Sequence, residues 1–241
     1  MKAIITGMNG TVAPYVYTEL EKRNIEVIIW DRSEVSTDNQ KSISDFIRTT
    51  QPDLFFHIAT GPVKWLEFIA KATKELGVKL LFTSSVSVFS EKGSGPYDPE
   101  SVPDAEEEYG RYKIACEETA RVWNPDSIIL RLGWQIGSEE GSNHMVDFLA
   151  KAQKEHGFIE ASSRWFPSCS FLEDTSEVIA QAALTYMPGT YLVNSNRKYS
   201  FFEIAEFLKT KHHAPWNIRE TVSFKRDDRM ADPRVEIPEL F

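Results

Sequence analysis

A doubly wound α/β fold, a parallel sheet covered by helices on both faces with a small C-terminal α/β lobe, is predicted by three observations. Short apolar runs alternate with longer segments of helical period. The runs are apolar on both faces, as strands buried between two helical layers must be. A glycine-rich turn joins the first run to the first helix.

The first run is "KAIIT" (2–6), and "TGMNGTVAP" (6–14) leads from it into a helical segment at 11–23. "EVIIW" (26–30), "DLFFHI" (53–58), "KLLFTS" (79–84) and "SIILRL" (127–132) repeat the strand pattern, with helices expected at 41–50, 63–76 and 106–123 between them. Beyond 132 the alternation loosens into a helix near 142–155, a short strand near 158–161, a helix at 173–186, "TYLVN" (190–194) and a helix over 200–210. The expected division is a nucleotide-binding domain over 1–132, with parts of 133–160, and a small substrate lobe over 133–241 packed on it. There is no internal repeat and no low-complexity linker.

Bulk composition narrows the partners. With 27 Lys+Arg against 36 Asp+Glu in 241 residues, the net charge of −9 disfavours nucleic acid and anionic membrane surfaces. The apolar start "MKAIITG" is too short for a signal-peptide core, and no stretch reaches the roughly 18 apolar residues of a membrane span, so a cytoplasmic protein is expected. Cys116 and Cys169 stand apart from any CxxC pair and read as reduced residues; no metal site is expected, and the tandem His212-His213 has no ligand partner at a useful offset.

In the glycine turn, Gly7 takes the role of the tight turn and Gly10 that of close backbone approach to a pyrophosphate. Ala13 stands where a third glycine would let helix pack on strand, and only a small side chain is needed there. Pro14 falls in the first helical turn, where its missing N–H costs nothing. The anion-facing amides are therefore expected between Met8 and Val12, through Asn9, Gly10 and Thr11. Asp31, about 20 residues on, is placed to accept the adenosine ribose hydroxyls and favours NAD, while Arg32 beside it leaves the 2′-phosphate of NADP open.

Chemistry is carried by "LFTSSVSVFS" (81–90), where a strand ends in hydroxyls at the carboxyl edge of the sheet, and by "YGRYK" (109–113). Tyr109 and Lys113, four apart, share one helix face, and the ammonium is expected to pull down a phenol pKa ordinarily near 10. Such a pair passes a proton to or from a substrate oxygen while hydride moves at a nicotinamide.

"TGMNGTVA", "FFHIAT", "FTSSVSVF" and "YGRYKIACEE", in that order, resemble the extended short-chain dehydrogenase/reductase superfamily, whose fold is Rossmann-like. "ILRLGWQIG", "SRWFPSCSFLEDTSEVIAQA", "GTYLVNSNRKYSFFEIAEFL" and "DDRMADPRV" make it most similar to the dTDP-4-dehydrorhamnose reductase-like, nucleotide-sugar-modifying branch. The resemblance implies Ser85 as catalytic hydroxyl, with Ser84 as fallback, Tyr109 as proton donor or acceptor, and Lys113 as the lysine that tunes it and holds the nicotinamide ribose. Tyr112 competes with Tyr109 but has Cys116, not lysine, four residues on. Ala59 and Thr60 would line the cofactor, and His57 before them reads as a packed core histidine. Arg131 is either a nicotinamide-side contact or structural.

Two departures bear on substrate. "GPVKWLEF" is shorter than the family's segment, with Pro62 at the position of an asparagine that orders the catalytic groups, and "SSVSVF" lacks the branch's aromatic. With no Asp-Glu pair after Ser85, dehydration is disfavoured, leaving reduction or epimerisation of a sugar-derived carbonyl or alcohol. Candidate substrate contacts are Trp134, Gln135, Asn143, His144, Arg164, Trp165, Pro167 and Arg229. A homodimer is an open possibility of the superfamily, and the alternative reading is a non-catalytic dinucleotide-binding regulator or scaffold.

Overall fold

A computed structural model of the chain describes residues 1–138 and 141–241. The strands are β1 (Lys2–Thr6), β2 (Glu26–Ile29), β3 (Leu54–His57), β4 (Lys79–Ser85), β5 (Ile128–Leu132), β6 (Trp134–Ile136), β7 (Ile159–Ser162), β8 (Trp165–Phe166), β9 (Cys169–Phe171), β10 (Gly189–Val193), β11 (Ile218–Thr221) and β12 (Arg226–Asp227). The helices are α1 (Ala13–Lys22), α2 (Gln40–Thr50), α3 (Val63–Leu76), α4 (Glu108–Trp123), α5 (Met145–His156), α6 (Leu172–Thr185) and α7 (Phe201–Lys211).

Six strands form one sheet in the order β10-β5-β4-β3-β1-β2, all pairs parallel. The chain builds outward from β1 to β2 and then reverses to β3 on the other side. That reversal opens a crevice at the carboxyl edge between β1 and β3, the place where such sheets bind ligands.

The alternation of side chains along each strand feeds two separate cores. Ala3, Ile5, Leu54, Phe56, Leu81, Ile128 and Leu130 pack towards α1 and α6. Ile4, Phe55, Leu80, Phe82 and Ile129 pack towards α2, α3 and α4. Double-sided burial is why β3, β4 and β5 read as unbroken apolar runs.

The later elements divide differently from the sequence expectation. α6 packs on α1, and β10 extends the main sheet beside β5, so residues 172–193 return to the large layer. A third core, with Met145, Leu149, Ile159, Ala161, Phe201, Ile204 and Leu208, belongs to the small lobe of α5, α7, β7 and β11. The physical reason is burial: α6 carries Val178, Ile179, Ala182 and Ala183 into the core shared with α1 and the main sheet, and β10 pairs in parallel with β5. Local capping sets the lobe's helix starts, with reciprocal boxes at His144/Asp147 and Ser200/Glu203.

Candidate active site

At the crevice, one cavity of about 740 Å³ is lined by Gly7–Val12, Asp31, Arg32, Ala59, Thr60, Thr83–Ser85, Tyr109, Lys113 and Leu132, Gly133 and Gln135. The cofactor-binding and catalytic residues expected from sequence thus share one wall-to-wall space.

The β1–α1 turn is shaped for close approach. Gly7 has φ +93°, and a Cβ there would lie 2.9 Å from the Ala59 backbone nitrogen, so only glycine fits. Ala13 is fully buried in the core against the sheet, as its small size allows. Among the described residues, the amides of Met8, Asn9, Thr11 and Val12 have no acceptor, whereas Gly10 donates to the Gly7 carbonyl at 2.8 Å. Gly10 is therefore removed from the expected set of anion donors, because its N–H closes the turn itself.

At the end of the cavity beyond β2, Asp31 accepts from the Ser33 amide and hydroxyl through one carboxylate oxygen, and these bonds hold its pKa below the ordinary value. Arg32 reaches across to the Thr60 carbonyl at 2.6 Å with its guanidinium over the Trp65 ring.

Adjacent serines at the end of β4 diverge. Ser84 is buried and donates to Glu117 at 2.6 Å, while Ser85 lies at the cavity and bonds Ser87. Glu117 also takes a bidentate bond from Arg131, which makes Arg131 a buried structural partner of α4 and not a cavity residue. These guanidinium and hydroxyl partners hold the Glu117 carboxyl below its usual pKa despite burial.

Lys113 donates to the Thr83 carbonyl at 2.8 Å, and burial pulls its pKa down to about 8. Tyr112 accepts from the Gly61 amide, leaving Tyr109 as the tyrosine at the cavity. Tyr109 is 48% exposed, yet the protein at the cavity mouth desolvates the phenol, which with the nearby Cys116 sulfur raises its pKa. This corrects the expected depression by Lys113. The ammonium lies 5.8 Å from the Tyr109 ring centre and is committed to a carbonyl.

His57 is buried between Thr6, Trp65 and Phe82, with a pKa pulled down to about 3 by burial and the Lys113 and Arg32 charges. It is the neutral core histidine expected from sequence.

The substrate candidates mostly fall elsewhere. Gln135 lines the cavity, but Trp134 stacks on Phe201 and Trp165 packs tilted against it in the small lobe, and His144 caps α5. Arg164 points to solvent, and Arg229 is forked onto Asp227. A second cavity of about 400 Å³ meets the first at Tyr109, lined by Ser87, Ser90, Glu91, Lys92, Glu107 and Arg226 among others. Sequence reasoning missed it because Arg226 arrives from β12, more than a hundred residues from α4.

Among known proteins, the RmlD substrate binding domain family matches residues 63–233, and the NAD dependent epimerase/dehydratase family matches residues 3–67. The spore coat polysaccharide biosynthesis protein SpsK of Bacillus subtilis is 24% identical over 220 residues, 85% of this chain and 77% of that protein. A dTDP-4-dehydrorhamnose reductase of Sinorhizobium fredii is 24% identical over 63% of this chain, which spans 56% of that enzyme's length. The crystal structure of dTDP-4-dehydrorhamnose reductase from Bacillus anthracis in complex with NADP shares the fold at TM-score 0.81 and 20% identity, covering 99% of this chain and 95% of that one.

Proposed function

The chain belongs to the RmlD substrate binding domain family, a branch of NAD(P)-dependent nucleotide-sugar reductases and epimerases, and on that premise we propose that it reduces the carbonyl of a sugar-derived substrate. The observation that carries the proposal is that Ser85, Tyr109 and Lys113 line the same cavity as a glycine turn with unspent amides.

The residues present fit a dinucleotide: the turn admits close backbone approach, and Asp31 and Arg32 stand at the far end. A bound dihydronicotinamide supplies the hydride. Ser85 hydrogen-bonds the substrate oxygen, and Tyr109 delivers the proton that completes the alcohol. With its pKa raised above the ordinary value, the phenol is protonated at neutral pH, the state in which it donates to a carbonyl oxygen. Lys113, largely protonated below about pH 8 with its ammonium anchored on the Thr83 carbonyl, is placed at the cavity wall to hold the nicotinamide ribose. The substrate's polar groups occupy the second cavity, where the Ser87 hydroxyl and the Arg226 guanidinium, paired with Glu91, line the wall.

The test is NAD(P)H oxidation with a panel of keto-sugars, free and nucleotide-linked. Tyr109→Phe is expected to lower turnover about 10²–10⁴-fold with cofactor affinity retained. Turnover by the variant equal to that of the wild type removes Tyr109 from the chemistry; cofactor binding with no turnover by either protein supports the non-catalytic alternative.

A further inference from the structure

Gln135 is a buried polar side chain with one end unsatisfied. It is 7% exposed, it lines the large cavity, and its amide nitrogen donates to the Gly133 carbonyl at 2.9 Å. Its Oε1 is buried without a hydrogen-bond partner among the described residues. The neighbours Trp134 and Ile136 both pack into the small-lobe core, and strand alternation sends Gln135 the other way.

The placement is rigid. β6 pairs with β9 in parallel register, Trp134 donates to the Ser168 carbonyl at 2.7 Å, and a Cβ on Gly133 would lie 2.6 Å from the Ser168 backbone. Because the Gly133 carbonyl requires a donor, the amide orientation is fixed with nitrogen towards Gly133 and oxygen left over. A buried acceptor without a partner is costly, and a ligand that brings a donor recovers that cost on binding.

Position selects the donor. With the phosphate turn at Gly7–Val12 and Asp31 and Arg32 beyond it, the stretch Leu132–Gly133–Gln135 lies at the end shared with Ser85, Tyr109 and Lys113, where the nicotinamide ring must sit. Ser85 and Tyr109 already address the substrate oxygen, and the ring's one exocyclic polar group is its carboxamide, which carries an amino donor. Resting on the dinucleotide reading above, we infer that Gln135 Oε1 accepts a hydrogen bond from the nicotinamide carboxamide and so sets which ring face meets the substrate. Gln135 is thus a cofactor-reading residue and not a substrate contact.

The experiment is calorimetric titration of the full chain with whichever of NAD⁺ and NADP⁺ it binds more tightly, and with the 3-acetylpyridine analogue of the same dinucleotide. That analogue keeps the carbonyl and replaces the amino group by methyl. Wild type is expected to bind the carboxamide form about fivefold to tenfold more tightly. In Gln135→Leu that ratio should fall to near one through loss of affinity for the carboxamide form alone. Gln135→Met, of similar length and without the acceptor, repeats the measurement should the leucine variant not fold. A wild-type ratio near one, or a ratio undiminished in the variants, overturns the assignment while leaving the cavity a dinucleotide site. Failure of wild type to bind any of these dinucleotides overturns the dinucleotide reading itself, and the assignment with it.

Discussion

The turn from β1 into α1 and the turn from β3 into α3 leave neighbouring strands at the same carboxyl edge, and each brings a proline to the start of its helix, Pro14 and Pro62. In the first, the amides of Met8, Asn9, Thr11 and Val12 are unclaimed by the described residues. In the second, the protein's own side chains take the polar groups. Arg32 donates to Thr60, Gly61 donates to Tyr112, and the Trp65 ring crowds Gly61 so closely that a Cβ there would lie 2.7 Å from it. The same strand-turn-helix grammar therefore yields a turn with unclaimed amides or a closed rim. What decides between them is whether side chains from other elements satisfy the turn.

The largest way to break this contrast is at Gly7. Gly7→Ala forces a Cβ against Ala59 at a φ that side chains avoid, and cofactor affinity in a titration should fall about 10²-fold or more, roughly 2.7 kcal/mol. An affinity within a few-fold of wild type would mean that the turn does not approach a ligand closely.

A smaller effect is expected under the closed turn, at His57. Its pKa is lowered from 6.5 to about 3, so the unfolded chain binds the proton first as pH falls. Stability is accordingly full above about pH 6.5 and drains away on acidification, with a slope of about 1 kcal/mol per pH unit through pH 6 to 4. Denaturant unfolding across that range should show a flatter profile for His57→Phe than for wild type; parallel profiles would remove His57 as the cause.

The smallest effect is at Tyr112. Tyr112→Phe removes the acceptor for the Gly61 amide and should cost about 1 kcal/mol of stability, leaving cofactor affinity within about twofold. A large loss of cofactor affinity would show that the β3–α3 turn takes part in binding after all.

Much of this contrast could be read from the chain before any fold was known. The α3 limits at 63–76 follow from Pro62 and Gly77, which punctuate the helix locally, and the glycine turn declares itself by following an apolar run. Ser85 separates from Ser84 by the alternation of a strand, a rule that needs no tertiary information. What could not be read depends on residues brought together from afar. Arg32 bonding Thr60, Arg131 bonding Glu117 and Arg226 lining the cavity at Tyr109 are decided by packing between distant segments, and guanidinium groups carry no local sign of their partners. The same limit explains why Trp165 looked available for substrate, since Phe201 claims it only in the folded chain, whereas Arg229 forks onto Asp227 only two residues away.

Amide hydrogen exchange with and without NADPH tests the contrast between the two turns most directly. Protection gained over Met8–Val12 with no change at the Gly61 amide, already bonded to Tyr112, is the predicted result. Protection gained at Gly61 while Met8–Val12 stays unchanged would contradict it.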